Sequence, residues 1–155
     1  MGVKEIKRDI YATFADIASS IGYSEIHGRI IAALLVSDKK LSLQELSRET
    51  GYSISTISLS LDLLEVLGMI KKIKKVGDRK LYVELQGNLL EGLKRAFLIR
   101  IQKDINNTLN KFEEYKNNLK KMKDGEKNSV LKTLNILEKE VKRVDKYISL
   151  LQKLK

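Results

Sequence analysis

The sequence predicts a mainly helical fold that carries one small antiparallel β hairpin, and three observations support this. The 155 residues contain no proline, 6% aromatic and 32% charged residues, a composition typical of helical proteins. Two short helical segments, joined by a turn that contains glycine, are followed at once by a lysine-rich hairpin pattern. The last third of the chain carries hydrophobic residues at helical spacing in two long segments.

The central stretch, residues 41–85, begins with the two short helices. Ser42 and Glu45 form a capping-box pattern at the start of the first helix. Gly51 is placed to end it, because glycine adopts the left-handed conformation without steric cost. Ser53 caps the second helix, which we assign to residues 54–67. This arrangement is typical of a helix-turn-helix, whose second helix is offered to a DNA groove.

A basic hairpin follows over residues 70–85. Within residues 71–80, six basic residues stand against one acidic residue. The pair Gly77-Asp78 indicates the turn, and the return strand alternates with apolar residues on one face. We expect Leu41 to pair beside this hairpin as a short third strand. A hairpin directly after a helix-turn-helix is the wing of a winged helix.

The second helix has an inward stripe of Ile57, Leu61 and Leu64, with Ile54 expected at its start. Its outward residues near the N-terminus are hydroxylic or apolar and could meet base edges. No lysine or arginine occurs from residue 53 to residue 70, so affinity must come from basic residues outside this helix, with Arg79 at the wing tip. The predicted DNA-binding residues are Ser42, Arg48, Ser53, Ser55, Thr56, Ser58, Leu59, Lys72, Lys74, Lys75, Arg79 and Lys80.

The C-terminal third is predicted to form a long antiparallel helical hairpin. Apolar residues in the last helix alternate steps of four and three, which is typical of a coiled-coil seam. One hairpin cannot cover both apolar stripes, so we expect a homodimer; an intramolecular bundle packed on the winged domain is the alternative. The predicted interface is Ile10, Phe14, Phe97, Ile101, Ile105, Leu134, Leu137, Val141, Val144, Ile148 and Leu151.

The predicted organisation has three parts. Residues 1–23 form an N-terminal helix that contributes to the dimer interface. Residues 24–87 form the winged helix-turn-helix, and residues 88–155 form the helical dimerisation arm.

The net charge of +10 favours a polyanionic partner. It is uneven, since residues 1–88 hold 13 basic and 11 acidic residues while residues 89–155 hold 17 and 9.

The central stretch resembles the MarR-type winged-helix transcriptional regulators, within them the branch of the glycine-betaine-synthesis repressor. The resemblance rests on Gly51-Tyr52-Ser53, on residues 57–61, on Leu64-Glu65 before Gly68-Met69-Ile70, and above all on Gly77-Asp78-Arg79-Lys80 followed by Tyr82. It implies a dimeric regulator of a pseudo-palindromic operator, with a small-molecule effector of unknown identity. Asp62 departs from the branch, which usually has a basic residue there.

Other functional classes find little support in the sequence. The chain has no cysteine and a single histidine, His27, and no nucleophile–base pair or Gly-rich phosphate loop, so we expect neither catalysis, nor a metal, nor a cofactor. No apolar run is long enough to span a bilayer, and we expect a cytoplasmic protein without membrane attachment. The remaining alternative is a winged-helix module for protein–protein interaction within a larger assembly.

Overall fold

The computed structural model describes residues 1–154. Its elements, in chain order, are α1 (Val3–Ser20), α2 (Glu25–Ser37), β1 (Leu41–Ser42), α3 (Leu43–Thr50), α4 (Ile54–Val66), β2 (Ile70–Lys74), β3 (Leu81–Leu85), α5 (Leu89–Lys120) and α6 (Lys127–Lys153). Two compact units are present, residues 1–96 and residues 97–155. The predicted mainly helical fold with a small β wing is confirmed.

The first unit is built around α2, whose side chains are buried on almost every side. Ile30 and Ala32 are fully buried in a core to which α1, α3, α4 and the sheet contribute. Helix α1 approaches α2 closely at Gly28, where an added Cβ would lie 2.0 Å from the Phe14 carbonyl oxygen. Only glycine allows this contact between the two helices.

The helix-turn-helix begins and ends at the predicted residues. The Ser42 hydroxyl accepts a hydrogen bond from the Glu45 N–H at 3.1 Å, and the Ser53 hydroxyl accepts one from the Thr56 N–H at 3.2 Å. Gly51 adopts φ 79°, the left-handed conformation predicted for it. These caps satisfy N–H groups that have no partner within the helices.

The sheet is antiparallel with strand order β1-β3-β2, and Leu41 pairs with Val83 as predicted. The turn lies at Gly77-Asp78 as predicted, and it is wider than these two residues, because strand pairing ends at Lys74 and Leu81. The wing tip is therefore a six-residue loop, residues 75–80. The Asp78 N–H donates to the Lys75 carbonyl at 3.1 Å and the Lys80 N–H donates to the Asp78 carboxylate at 2.9 Å, so Asp78 shapes this wider loop through both its backbone and its side chain.

The second unit is an antiparallel hairpin of α5 and α6. Leu98, Ile105 and Ile148 form its buried core, with Ile101, Leu109 and Val141 packed against them. The Gln102 amide donates to the Asp145 carboxylate at 2.9 Å. None of the helices in the described residues is long and apolar enough to cross a membrane.

Candidate nucleic-acid interface

The exposed face of α4 is polar at its N-terminal end and apolar further along. Ser55, Thr56 and Ser58 are exposed, and the Leu59 side chain is 75% exposed. Ile54 does not join the inward stripe as expected, since 43% of it is exposed. The helix begins one turn before Ile57, and its first residue projects past the edge of the core.

Three hydroxyl groups cluster at the start of α4. The Ser53 Oγ lies 2.7 Å from the Thr56 Oγ1 and 3.2 Å from the Ser55 Oγ. Hydroxyl groups both donate and accept hydrogen bonds, so this cluster can adapt to different base edges or to a phosphate.

Ser42 differs from the other predicted DNA-binding serines. It is only 2% exposed, and its hydroxyl is engaged with both the N–H and the carboxylate of Glu45. We therefore correct the prediction for Ser42: its side chain stabilises the N-terminus of α3 and lies below the surface.

Lys72 points toward α4. Its ammonium lies 2.5 Å from the Asp62 carboxylate and 3.7 Å from that of Glu65. The hydrogen bond that Lys72 donates to Asp62, aided by the charges of the two carboxylates, raises the pKa of Lys72 against a smaller opposing effect of desolvation. The charge of Lys72 is compensated within the protein, and the two acidic residues add negative charge to the exposed side of α4.

The other basic residues of the wing are exposed. Lys74, Lys75, Arg79 and Lys80 all project into solvent. Within the described residues, no carboxylate lies within ion-pair distance of Arg79. The adjacent Asp78 carboxylate instead accepts the Lys80 N–H, which leaves the guanidinium at the tip available to an outside anion.

A cluster that the sequence did not predict surrounds Tyr82. The Lys40 Nζ lies 5.8 Å from the centre of the Tyr82 ring, within the range of a cation–π contact. The nearby Lys75 ammonium, which cannot accept a hydrogen bond from Lys40 and repels its positive charge, lowers the pKa of Lys40. The signal that could have revealed this cluster is the order β1-β3-β2, which places the ends of β1 and β2 on either side of β3.

Arg48 and Lys80 line one polar groove of about 660 Å³, together with Lys7 and Lys39. The groove also contains Glu49, whose carboxylate accepts a hydrogen bond from the Tyr11 hydroxyl at 3.1 Å. Burial first, and then the hydrogen bond and charge of Glu49, raise the pKa of Tyr11 to about 12. Three of the predicted DNA-binding residues, Ser42, Arg48 and Lys80, therefore line this groove between α3 and the wing tip.

An apolar cavity of about 160 Å³ lies within the first unit. Its walls come from α1, α2, the end of α4 and the start of α5, and none of the lining residues is lysine, arginine, aspartate or glutamate. His27 lines it, and burial, partly offset by the backbone hydrogen bond from Ser24, lowers the pKa of His27. The imidazole is therefore neutral at pH 7, and the cavity offers no full charge to a ligand.

The residues predicted to form a dimer interface separate into two groups in the structure. Ile105, Leu134 and Ile148 are 5–7% exposed, so their side chains are already covered within one chain, and the predicted role is corrected for these three. Ile10, Phe14, Ile101 and Val141 are partly buried against the cores of their own units. Phe97, Leu137, Val144 and Leu151 remain 39–43% exposed.

The exposed apolar residues of α6 are regularly spaced. One set occurs every seventh residue and is 42–43% exposed: Val130, Leu137, Val144 and Leu151. The other apolar set of the heptad faces the core of the hairpin: Leu134, Val141 and Ile148. The seam read from the sequence thus has one position buried by α5 and one half exposed. A stripe of this kind is what a further helix packs against in a coiled coil.

The described residues contain no group of three or more histidine, aspartate or glutamate side chains able to hold a metal ion.

No protein-family model matches the sequence, and no curated protein matches it. Solved structures do match. A crystal structure of a transcriptional regulator has a TM-score of 0.62 and 18% identity, over 95% of this chain and 96% of that chain. This likeness establishes the fold.

Two further structures are similar with lower TM-scores and over a smaller share of this chain. A MepR variant from S. aureus bound to an oligodeoxyribonucleotide has 14% identity and a TM-score of 0.45, over 89% of this chain and 94% of that chain. A zinc-responsive MarR family member, ZitR from Lactococcus lactis, has 16% identity and a TM-score of 0.38, over 76% and 75%.

Proposed function

We propose that this protein is a transcriptional regulator that binds double-stranded DNA with sequence specificity as a homodimer. Residues 54–67 would lie in the major groove, and the wing, residues 70–85, would contact the backbone and the minor groove. The observation that carries this proposal is the pairing of an exposed hydroxyl-rich helix start with an exposed cationic wing tip on one winged-helix framework.

The chemistry of α4 predicts how bases are read. Ser55, Thr56 and Ser58 can hydrogen-bond to several bases, and Leu59 can contact a thymine methyl group. Since α4 carries no basic residue, it cannot make the bidentate arginine–guanine contact. We therefore expect recognition that favours or tolerates A·T pairs.

The affinity would come from cations on either side of α4. Lys74, Lys75, Arg79 and Lys80 belong to the wing, and Arg48 lies on α3 beside the same polar groove as Lys80. Contacts with phosphates supply most of the affinity of such proteins and make it salt-dependent. Lys72 is left out of this set, because its charge is engaged by Asp62 and Glu65.

The homodimer is supported by the half-exposed heptad stripe of α6. Leu137, Val144 and Leu151 would pack against the same stripe of a second copy, with Phe97 of α5 adding to the interface. A two-fold axis through these helices would present two copies of α4 to one side of a duplex. Their spacing would be about 34 Å, one turn of B-DNA.

The apolar cavity is the candidate effector pocket. Its walls include Leu64 and Leu67 at the end of α4 and Phe14 and Ala18 of α1, so a ligand there would touch both α4 and α1. The lining favours an uncharged, largely apolar molecule. Binding could alter DNA affinity by shifting α4 relative to α1.

The motifs quoted from the sequence support a more specific assignment, to the MarR-type regulators and the branch of the glycine-betaine-synthesis repressor. We further propose that the protein acts in the cytoplasm, where its DNA target would be. The three predicted regions, residues 1–23, 24–87 and 88–155, would serve dimerisation, DNA binding and dimerisation respectively.

One observation favours a second candidate function, a module for protein–protein interaction. Leu59, Leu63 and Val66 are all exposed and lie on one side of α4, next to Asp62 and Glu65. An apolar stripe flanked by acidic residues suits a protein partner better than a polyanion. A partner that covered this stripe and excluded DNA would favour the module.

Selection of bound fragments from random duplex DNA tests the primary proposal. We expect enrichment of a pseudo-palindromic, A·T-containing site and an affinity for it that falls steeply with salt. Absence of any enriched site, with no salt-dependent binding to any duplex, would reject DNA binding and leave the interaction module.

A further inference from the structure

The polar groove between α1 and α3 has the dimensions of a small-molecule site. Its volume of about 660 Å³ lies within the range of about 300–1,000 Å³ that is usual for ligand pockets. Lys7 and Tyr11 are four residues apart on α1, so they share one helix face. Glu45 and Glu49 share a face of α3 in the same way. The two faces meet where the Tyr11 hydroxyl donates to the Glu49 carboxylate at 3.1 Å.

Four cationic side chains line this groove, and each comes from a different segment of the chain. Lys7 belongs to α1, Lys39 to the turn before β1, Arg48 to α3 and Lys80 to the end of the wing loop. Within the described residues, no carboxylate lies within ion-pair distance of any of them. Positive charges gathered around one cleft make its potential positive, so the groove attracts an anion.

Two carboxylates in the same groove narrow the choice of anion. Glu45 accepts a hydrogen bond from the Ser42 hydroxyl at 3.4 Å, and Glu49 accepts the one from Tyr11. An ionised carboxylate only accepts hydrogen bonds, so it repels a bare anion and binds a ligand that also carries hydroxyl groups. Four cations against two carboxylates leave an excess of two positive charges. This excess matches the charge of a phosphate monoester near pH 7.

We propose that the groove binds a sugar phosphate, whose phosphate contacts the cations and whose hydroxyl groups donate to Glu45 and Glu49. The planar guanidinium of Arg48 can meet two phosphate oxygens at once. This site is separate from the apolar cavity, since no residue lines both. The inference goes beyond the proposed function, because it concerns a small molecule and requires no DNA.

Isothermal titration calorimetry of the full chain tests the proposal, with glucose 6-phosphate and ribose 5-phosphate as the probes. Glucose, which lacks the charge, and inorganic phosphate, which lacks the sugar hydroxyl groups, are the control ligands. The variants are Lys7→Gln and Arg48→Gln. Arg8→Gln is the matched control, because Arg8 is exposed next to Lys7 and lies outside the groove lining. Circular dichroism melting verifies that each variant folds.

We expect at least one of the two sugar phosphates to bind with a Kd below about 1 mM. Its affinity should exceed that of inorganic phosphate about tenfold or more, and glucose should not bind. Lys7→Gln and Arg48→Gln should each weaken binding by about tenfold or more, because each removes a charged hydrogen-bond donor. Arg8→Gln should resemble the wild type.

Three results would overturn the sugar phosphate site. They are the absence of binding by both probes, an equal affinity for inorganic phosphate, and equal effects of Lys7→Gln and Arg8→Gln. None of these measurements involves a duplex, so a failure of DNA binding is a distinct result.

Discussion

The ammonium of Lys72 on β2 lies 2.5 Å from the carboxylate of Asp62 on α4. Glu65, one turn further along α4, lies 3.7 Å from the same nitrogen. The bridge ties the wing to α4. It also means that Lys72 has a different role from Arg79, although both belong to one basic stretch of sequence.

This bridge predicts that Asp62 opposes DNA binding. Asp62→Asn removes an exposed negative charge from the face of α4 and releases the Lys72 ammonium. We expect tighter DNA binding with a salt slope steeper by about one, whereas Arg79→Gln should make it shallower by about one. Lys72→Gln should leave the slope close to that of the wild type. Anisotropy titrations of these three variants check the assignment, and a large loss of slope for Lys72→Gln would contradict it.

The close contact of α1 with α2 predicts a strong effect of one added methyl group. In Gly28→Ala the new Cβ would lie 2.0 Å from the Phe14 carbonyl oxygen, a backbone atom that can move only if the helices separate. We expect a loss of at least about 1–3 kcal/mol in the free energy of unfolding, measured by urea denaturation.

Gly125→Ala is the matched control, since no heavy atom lies within 4 Å of its added Cβ. Its stability should remain within about 0.5 kcal/mol of the wild type. Equal stability of the Gly28 and Gly125 variants would show that α1 and α2 pack less closely than described.

The hairpin of α5 and α6 should depend on pH through Glu138. Its carboxylate is bonded to Lys116 of α5 and lies 3.0 Å from the Lys142 ammonium, and these lysines, Lys116 foremost, lower the pKa of Glu138 to about 2. Because the folded-state pKa lies below the ordinary value of 4.5, this stabilisation is complete above about pH 4.5 and is lost as pH falls toward 2.

The measurement is the thermal melting temperature of the full chain between about pH 2 and about pH 6. Glu138→Gln, and separately Lys116→Gln, should reduce the fall in melting temperature between about pH 4.5 and about pH 2. If the melting temperature of both variants fell at low pH as much as that of the wild type, the loss of stability would come from other carboxylates.

The apolar cavity predicts binding of a small neutral ring compound. A cavity of about 160 Å³ is comparable to engineered apolar cavities of ~150 Å³ that bind benzene. Benzene should raise the melting temperature, while benzoate should not, because no cationic side chain lines the walls. Ala18→Leu should fill the cavity and abolish the effect.

Ala12→Leu is the control for that substitution, since Ala12 lies on α1 away from the cavity lining. It should keep the response to benzene. If benzene stabilised Ala18→Leu as strongly as the wild type, the ligand would be bound elsewhere.

Local sequence signals predicted the framework well. The caps at Ser42 and Ser53, the left-handed Gly51 and the pairing of Leu41 beside the wing all follow from residues close in sequence or from strand alternation. Their physical causes act over a few residues, so they can be read without knowledge of the tertiary structure.

Features that depend on contacts between distant elements were not predictable in the same way. The inward direction of Lys72 follows from its register on β2 opposite α4, and the contact of Lys40 with the Tyr82 ring follows from the strand order. The heptad pattern of α6 indicated an apolar seam, but only packing against α5 determines that Leu134 and Ile148 are covered while Val144 is not.

The central claim is that two copies of this chain hold one duplex. Sedimentation of the protein with a selected duplex, combined with hydroxyl-radical footprinting, tests it most directly. We predict two chains per duplex and two protected segments about one helical turn apart. Val144→Glu should give single chains and lose the paired footprint, while Lys146→Glu should not. One chain per duplex, or a single protected segment with the wild type, would contradict the account.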